Sequence, residues 1–165
     1  MSKQKPSFEP WLCSWPQLTG QNQGFPWRFW EKWCKTYRRD PMLHLFCGAS
    51  TEGHTRVDIR PESVGANVLG SYEDLESDGS LFASSFADPP YTDQHAAEWG
   101  YPYPKPSSIL KVMRDLTETD GVVGVLHLQV LRPVKGLTAI AYHPVFCGTT
   151  KHLRCLSVFR KENPS

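Results

Sequence analysis

The apolar run SLFASSFA at 80–87 ends abruptly in Asp88-Pro89-Pro90-Tyr91. Two successive prolines cannot continue a sheet ladder, because neither supplies an N–H. A strand entering this tetrapeptide must stop, and the chain must leave through a rigid turn. That turn presents one carboxylate, one backbone acceptor and one aromatic face. In open α/β sheets ligands bind beyond the carboxyl ends of the strands, so the turn is the first place to look for a site.

The rest of the chain supplies the strands such a sheet needs. MLHLF at 42–46 reads as a buried strand ending in Cys47-Gly48-Ala49, and RVDI at 56–59 as a second with Asp58 near its end. ANVLG at 66–70 is a weaker third and 80–87 a fourth. GVVGVLHLQVL at 121–131 is a strong strand. LTAIAYHPVF at 137–146 and HLRCLSVFRK at 152–161 follow, and the short GTTK link between them predicts an antiparallel hairpin. Two segments have helical character. SSILKVMRDLTET at 107–119 repeats through Ile109, Leu110, Met113 and Leu116. PWRFWEKWCKTYRR at 26–39 places Pro26 in a first turn and Trp27, Trp30, Cys34 and Tyr37 on one face. That face reads either as a core stripe or, with its basic flank, as a surface for nucleic acid. The expectation is an α/β fold: a mostly parallel sheet with one antiparallel strand near its edge. Residues 1–24 read as an irregular aromatic arm, and 25–165 as a single domain. The Pro-, Tyr- and Trp-rich stretch 92–106 reads as a loop. It carries Trp99, Tyr101 and Tyr103, and is either a lid over a substrate or an aromatic plug on the sheet.

Composition narrows the class. At 165 residues the chain fits one domain, and 39% apolar with 21% charged residues is an ordered globular composition. No run reaches the ~18 apolar residues of a membrane span. MSKQKPSFEPW lacks the apolar stretch of a signal peptide, so a cytoplasmic protein with no membrane partner is expected. The net charge of +1 divides unevenly: +4 over 1–41, zero over 42–57, −8 over 58–98 and +5 over 99–165. An acidic middle between basic ends is not a uniform polyanion-binding surface, but it allows one basic face and one acidic pocket. The five cysteines form no CxxC pair and no two histidines stand at ligand spacing, so neither a metal nor a disulfide framework is expected. His95, His127 and His143 are scattered and read as structural.

The Asp-Pro-Pro-Tyr tetrapeptide after an apolar strand resembles the catalytic motif of class I S-adenosylmethionine-dependent methyltransferases that modify amino groups, the DNA adenine enzymes among them. LHLFCGA at 43–49 is similar to their first motif, a strand ending in Phe-x-Gly. The resemblance covers about residues 42–160 and is most specific at 88–91. It implies a Rossmann-like methyltransferase fold with S-adenosylmethionine as cofactor. Phe46, Cys47, Gly48, Ala49, Asp58, Ile59, Ser71 and Tyr72 would contact the cofactor, with Asp58 on the ribose hydroxyls and the segment after Gly70 near adenine. Asp88, Pro89, Pro90 and Tyr91 would be catalytic, and Trp99, Tyr101 and Tyr103 would meet the substrate. It implies transfer to adenine N6 in DNA, ahead of an adenine or guanine amine in RNA. A protein amide or small amine ranks last, because the family's protein-glutamine members usually carry Asn at the position of Asp88. Two departures stand out. Gly48 and Asp58 are ten positions apart, so the helix after the first strand must be missing or reduced to a turn. The stretch from Ala49 to Asp88 also leaves no room for a target-recognition domain. A partner protein would then supply recognition, or the chain would be a non-catalytic binding protein on this scaffold.

Overall fold

The computed structural model describes residues 5–13, 28–76, 79–147 and 153–163. Among these lie nine strands: β1 (Ser7–Phe8), β2 (Trp11–Cys13), β3 (Met42–Leu45), β4 (Thr55–Asp58), β5 (Val68–Leu69), β6 (Phe82–Ala87), β7 (Thr117–His127), β8 (Leu137–Cys147) and β9 (Arg154–Lys161). They form one sheet in the order β1-β8-β9-β7-β6-β3-β4-β5, with β2 also pairing β8. Every pairing is parallel except those of β9, which runs antiparallel to both β7 and β8. This is the mostly parallel sheet expected, with the antiparallel strand one place in from β8. The GTTK link lies outside the described residues.

Side-chain alternation along the central strands gives the sheet two buried faces. On one, Leu43, Leu45, Ala87, Val123 and Val125 pack against helix α3 (Pro106–Leu116) through Ile109, Leu110 and Met113. On the other, Met42, Phe86, Val122, Leu126 and Leu156 pack against helix α1 (Phe29–Thr36) and the arm residue Trp11. Helix α1 turns a different face inward from the one read in the sequence. Phe29 and Trp33, one turn apart, are wholly buried, while Trp30, Cys34 and Tyr37 flank them. Trp27 lies outside the described residues. Gly124 makes room for this helix, since a Cβ there would stand 2.4 Å from the Trp33 ring.

Other differences have local causes. The arm read as irregular adds β1 and β2 to the edge of β8. Trp11 and Cys13 point inward and Leu12 outward, an alternation too short to register beside Pro10. The helix expected over 107–119 ends at Leu116. Thr117 already pairs with Phe82, and its hydroxyl meets that of Ser85 inside the sheet. The strand predicted to run to 131 stops at His127. The stretch 92–106 contains a short helix, α2 (Asp93–Glu98), capped by the Thr92 hydroxyl.

No helix follows β3. Residues 46–54 return to β4 as turns, and polar staples hold them. The Arg56 guanidinium donates to the carbonyls of Gly53 (2.7 Å) and Gly65 (2.5 Å), joining the loops after β3 and β4. Gly65 lies so close to the backbone of 48–50 that a Cβ would stand 2.2 Å from the Ser50 oxygen.

Candidate active site

The carboxyl ends of β3, β4, β6 and β7 lie side by side, and each delivers a polar or turn-forming residue. Beyond β3, Phe46 and Gly48 take left-handed backbone conformations (φ 56° and 55°), which turn the chain sharply over the end of the strand. The Gly48 N–H then donates to Asp58 Oδ2 at 2.9 Å. Asp58 closes β4 with its carboxylate wholly buried. Its other oxygen accepts from the Arg60 N–H at 3.0 Å, Arg60 Nε at 3.2 Å and the Tyr101 hydroxyl at 2.6 Å. Burial works against the ionised carboxylate. The hydrogen bonds from Arg60, Tyr101 and Gly48 outweigh it, and its pKa falls below the ordinary value.

Tyr101 belongs to the loop after α2 and reaches into this corner. Its hydroxyl also accepts from the Ile59 N–H at 3.1 Å, and its ring lies 5.6 Å from that of Phe46. Phe46 in turn meets Tyr72 at 5.3 Å. Three of the expected cofactor-binding residues, Phe46, Asp58 and Ile59, thus meet the Tyr101 side chain, and Gly48 and Tyr72 join them through Asp58 and Phe46. Ser71 caps the 3-10 turn Tyr72–Asp74 by accepting from the Glu73 N–H. Cys47 is buried, its thiol pushed up to about 11 chiefly by desolvation and by the Asp58 charge. Both effects disfavour the thiolate, the reactive form of a cysteine. Ala49 sits in the turn closed by the Ser50 N–H on the Cys47 carbonyl. Trp99 is partly exposed and stacks on His95, with the Arg60 guanidinium 5.1 Å from its ring. Tyr103 is at the surface. In this arrangement Tyr101 fills the corner beside Asp58 and Phe46.

The second half of the site is the turn after β6. Pro89 and Pro90 are buried. Asp88 keeps some solvent access, yet enough protein crowds its carboxyl for burial to raise its pKa, with Arg154 and Tyr91 offsetting this in part. The Tyr91 hydroxyl donates to Asp88 Oδ1 and fixes the carboxylate plane. The Tyr91 ring is flanked by Arg154, whose guanidinium lies 5.2 Å from the ring centre, and by His127 edge-to-face at 5.6 Å. Arg60 and Arg154 were not singled out in the sequence, and His127 was read there as structural. The signal for His127 was there: it is the polar residue that ends the apolar run of β7, as Asp58 ends β4.

No protein-family model matches the chain, and no curated protein matches it by sequence. Solved structures do. TrmN from Thermus thermophilus superposes with a TM-score of 0.53 at 17% identity, over 73% of this chain and 43% of that one. The N-methyltransferase NodS from Bradyrhizobium japonicum WM9, in complex with S-adenosyl-L-homocysteine, superposes with a TM-score of 0.52 at 10% identity, over 74% and 78%. The fold is that of the class I methyltransferases. An rRNA methylase from Streptococcus thermophilus also superposes, with a TM-score of 0.50 at 10% identity, over 81% of this chain and 93% of that one. The chain spans less than half of TrmN. Within this methyltransferase fold the helix after the first central strand is replaced by the stapled turns at 46–54. Among the described residues, no group of His, Cys, Asp and Glu is placed to hold a metal ion, and no helix is long and apolar enough to cross a membrane.

Proposed function

We propose that the chain is an S-adenosylmethionine-dependent methyltransferase acting on the exocyclic amine of a nucleobase, adenine N6 in DNA first and an RNA adenine or guanine second. The observation that carries this reading is the turn Asp88-Pro89-Pro90-Tyr91, placed at the carboxyl end of β6 beside the turn after β3.

Tyr101 supports placing the adenosine end of the cofactor around Asp58. Its aromatic ring against Phe46, with a hydroxyl held between the Asp58 carboxylate and the Ile59 N–H, reproduces the demands of a base and a ribose hydroxyl. Asp58, Ile59 and Phe46 would hold the adenosine once Tyr101 has withdrawn. When bound, the cofactor supplies a methyl group on a sulfonium, a good leaving group.

The chain's own residues do the rest. An exocyclic amine is a poor nucleophile because its lone pair is delocalised into the ring. The Asp88 carboxylate and the Pro89 carbonyl each accept one amine hydrogen, which localises the lone pair on nitrogen, and the proton the methylated amine gives up leaves through the Asp88 carboxylate to water. Tyr91 holds the carboxylate through its hydroxyl. Arg154 flanks the Tyr91 ring and favours the ionised form of Asp88. Catalysis is then mainly positioning and electrostatics. A base in a duplex would have to be flipped out, which is easier from a single strand.

A second reading is favoured by the saturated Asp58 carboxylate. If Tyr101 and Arg60 hold it permanently, the chain is a non-catalytic binding protein on a methyltransferase scaffold. Labelled S-adenosylmethionine presented with single- and double-stranded DNA, RNA and peptides decides between them. Label in adenine, lost in Asp88→Ala, supports the first reading. No transfer, together with no calorimetric binding at millimolar cofactor, supports the second.

A further inference from the structure

His127 is 3% exposed, and its Nε2 has no hydrogen-bond partner among the described residues. Buried polar atoms without partners are rare and costly, so one at a candidate site asks for an explanation. The ring is not loose. The backbone N–H of Gln129 donates to His127 Nδ1 at 3.2 Å. Nδ1 must therefore carry the lone pair, and in the neutral ring the proton sits on Nε2. Burial lowers the pKa of this histidine, which keeps the ring neutral near pH 7. The site thus holds one fixed, desolvated N–H donor with nothing among the described residues to receive it.

Its position ties it to the proposed chemistry. Ala87 at the end of β6 pairs with Val125 of β7, and continuing that register sets His127 level with Pro89. The edge-to-face contact with Tyr91 places the ring against the same tetrapeptide. Asp88 and the Pro89 carbonyl offer only acceptors to a target amine. A lone donor beside them complements a target that carries an acceptor next to its amine.

We infer that His127 Nε2–H donates to a ring nitrogen flanking the target amine, making it a specificity-determining residue for an amino-heterocycle with the amine–imine edge of adenine. Adenine offers N1 on one side of the amine and N7 on the other. A simple alkylamine offers no such acceptor, and such a target would leave the His127 donor buried and unpaired. The inference rests on the reading of the chain as a nucleobase amino-methyltransferase.

The test pairs a change in the protein with a change in the target. Full-length wild type, His127→Phe and His127→Gln are compared on a single-stranded oligodeoxynucleotide whose one adenine is replaced in turn by 1-deazaadenine and 7-deazaadenine. His127→Phe should lower kcat/KM on adenine by about 10–100-fold, the cost of leaving one buried partner unpaired. His127→Gln, which keeps an N–H donor, should recover part of that loss. One of the two deaza targets should cost the wild type a similar factor and cost His127→Phe nothing further. Losses that simply multiply, or an unchanged kcat/KM in His127→Phe, overturn the inference while leaving the methyltransferase reading intact. No transfer by the wild type to any amine of DNA or RNA overturns the underlying reading and this inference with it. Long-range 1H–15N spectra give a readout free of turnover: His127 should show a protonated Nε2 and an unprotonated Nδ1, and the opposite tautomer overturns the assignment.

Discussion

The Tyr101 hydroxyl donates to Asp58 Oδ1 at 2.6 Å, from a residue 43 positions further along the chain. On the proposed reading Asp58 holds the ribose of the cofactor, and this bond then sets up a competition between loop and ligand. A ligand that needs Asp58 must first displace Tyr101, and the free energy of that contact is subtracted from its affinity. Tyr101→Phe keeps the ring on Phe46 and removes the hydroxyl. Hydrogen bonds to charged groups contribute roughly 1.5–3 kcal/mol, so the variant should bind S-adenosylhomocysteine about 10–100-fold more tightly by calorimetry. Weaker binding would make Tyr101 part of the occupied site instead of its competitor.

Asp88 should show the conflict between stability and chemistry that buried functional groups carry. Burial raises its folded-state pKa above the ordinary 3.8, and Arg154 and Tyr91 only partly offset this. The linked stability is complete below the unfolded pKa and is lost as pH rises through the folded one. At pH 7 the ionised carboxylate therefore costs the fold something that Asn at this position would not. Asp88→Asn should melt above the wild type at pH 7 and match it near pH 3.5. Methyl transfer should fall on the order of 10²–10³-fold, as when one polar contact to a reacting group is removed. A variant that melts lower at pH 7 would mean that the Tyr91 and Arg154 contacts outweigh the burial.

Much of this site was legible because strand ends announce themselves. Asp88 follows the strand 82–87 and Asp58 closes the strand 55–58, and a carboxylate at a strand's carboxyl end stands where such sheets bind ligands. The tetrapeptide stopped its strand by proline chemistry alone, and the ten-residue spacing from Gly48 to Asp58 required the missing helix. What stayed hidden depended on side chains arriving from elsewhere. Tyr101 lies in a segment whose prolines and aromatics fit a lid and a plug equally well. Nothing local says that its hydroxyl meets Asp58. The inward face of α1 was misjudged because that helix is aromatic almost all round. Gly124 on β7, and not the helix, decides which ring goes in.

That glycine supplies a sharp packing test. Trp33 is wholly buried, and a Cβ at position 124 would stand 2.4 and 2.5 Å from two of its ring carbons. Real side chains do not approach so closely, so Gly124→Ala must push Trp33 or the sheet aside. Overpacking a close-packed core typically costs ~1–3 kcal/mol, and the variant should lose that much in urea unfolding. Gly124→Ala combined with Trp33→Phe should recover part of the loss, because the smaller ring vacates the contested volume. A single variant as stable as the wild type would contradict the placement of α1 on this face.

His44 contributes to the acid sensitivity of the fold. It lies on β3, wholly buried, its Nδ1 bonded to the Glu52 carbonyl at 2.9 Å and its ring packed edge-on against Trp30 and Phe86. Desolvation is the main cause that lowers its pKa to about 4 from the ordinary 6.5; the Glu52 hydrogen bond and Asp58 oppose the shift, and Arg56 adds to it. The neutral ring is the folded form. The unfolded chain takes up a proton below pH 6.5 that the folded chain refuses until about pH 4. The His44 contribution should therefore be level above pH 6.5 and fall as pH drops through that window, by on the order of 3 kcal/mol. His127 and His143 are also lowered by burial and steepen the same limb. His44→Phe removes the Glu52 bond and should cost stability at every pH, yet the slope between pH 6.5 and 4 should become shallower. Chemical denaturation across that range measures the slope directly, and an unchanged slope would show that His44 titrates normally in the folded protein.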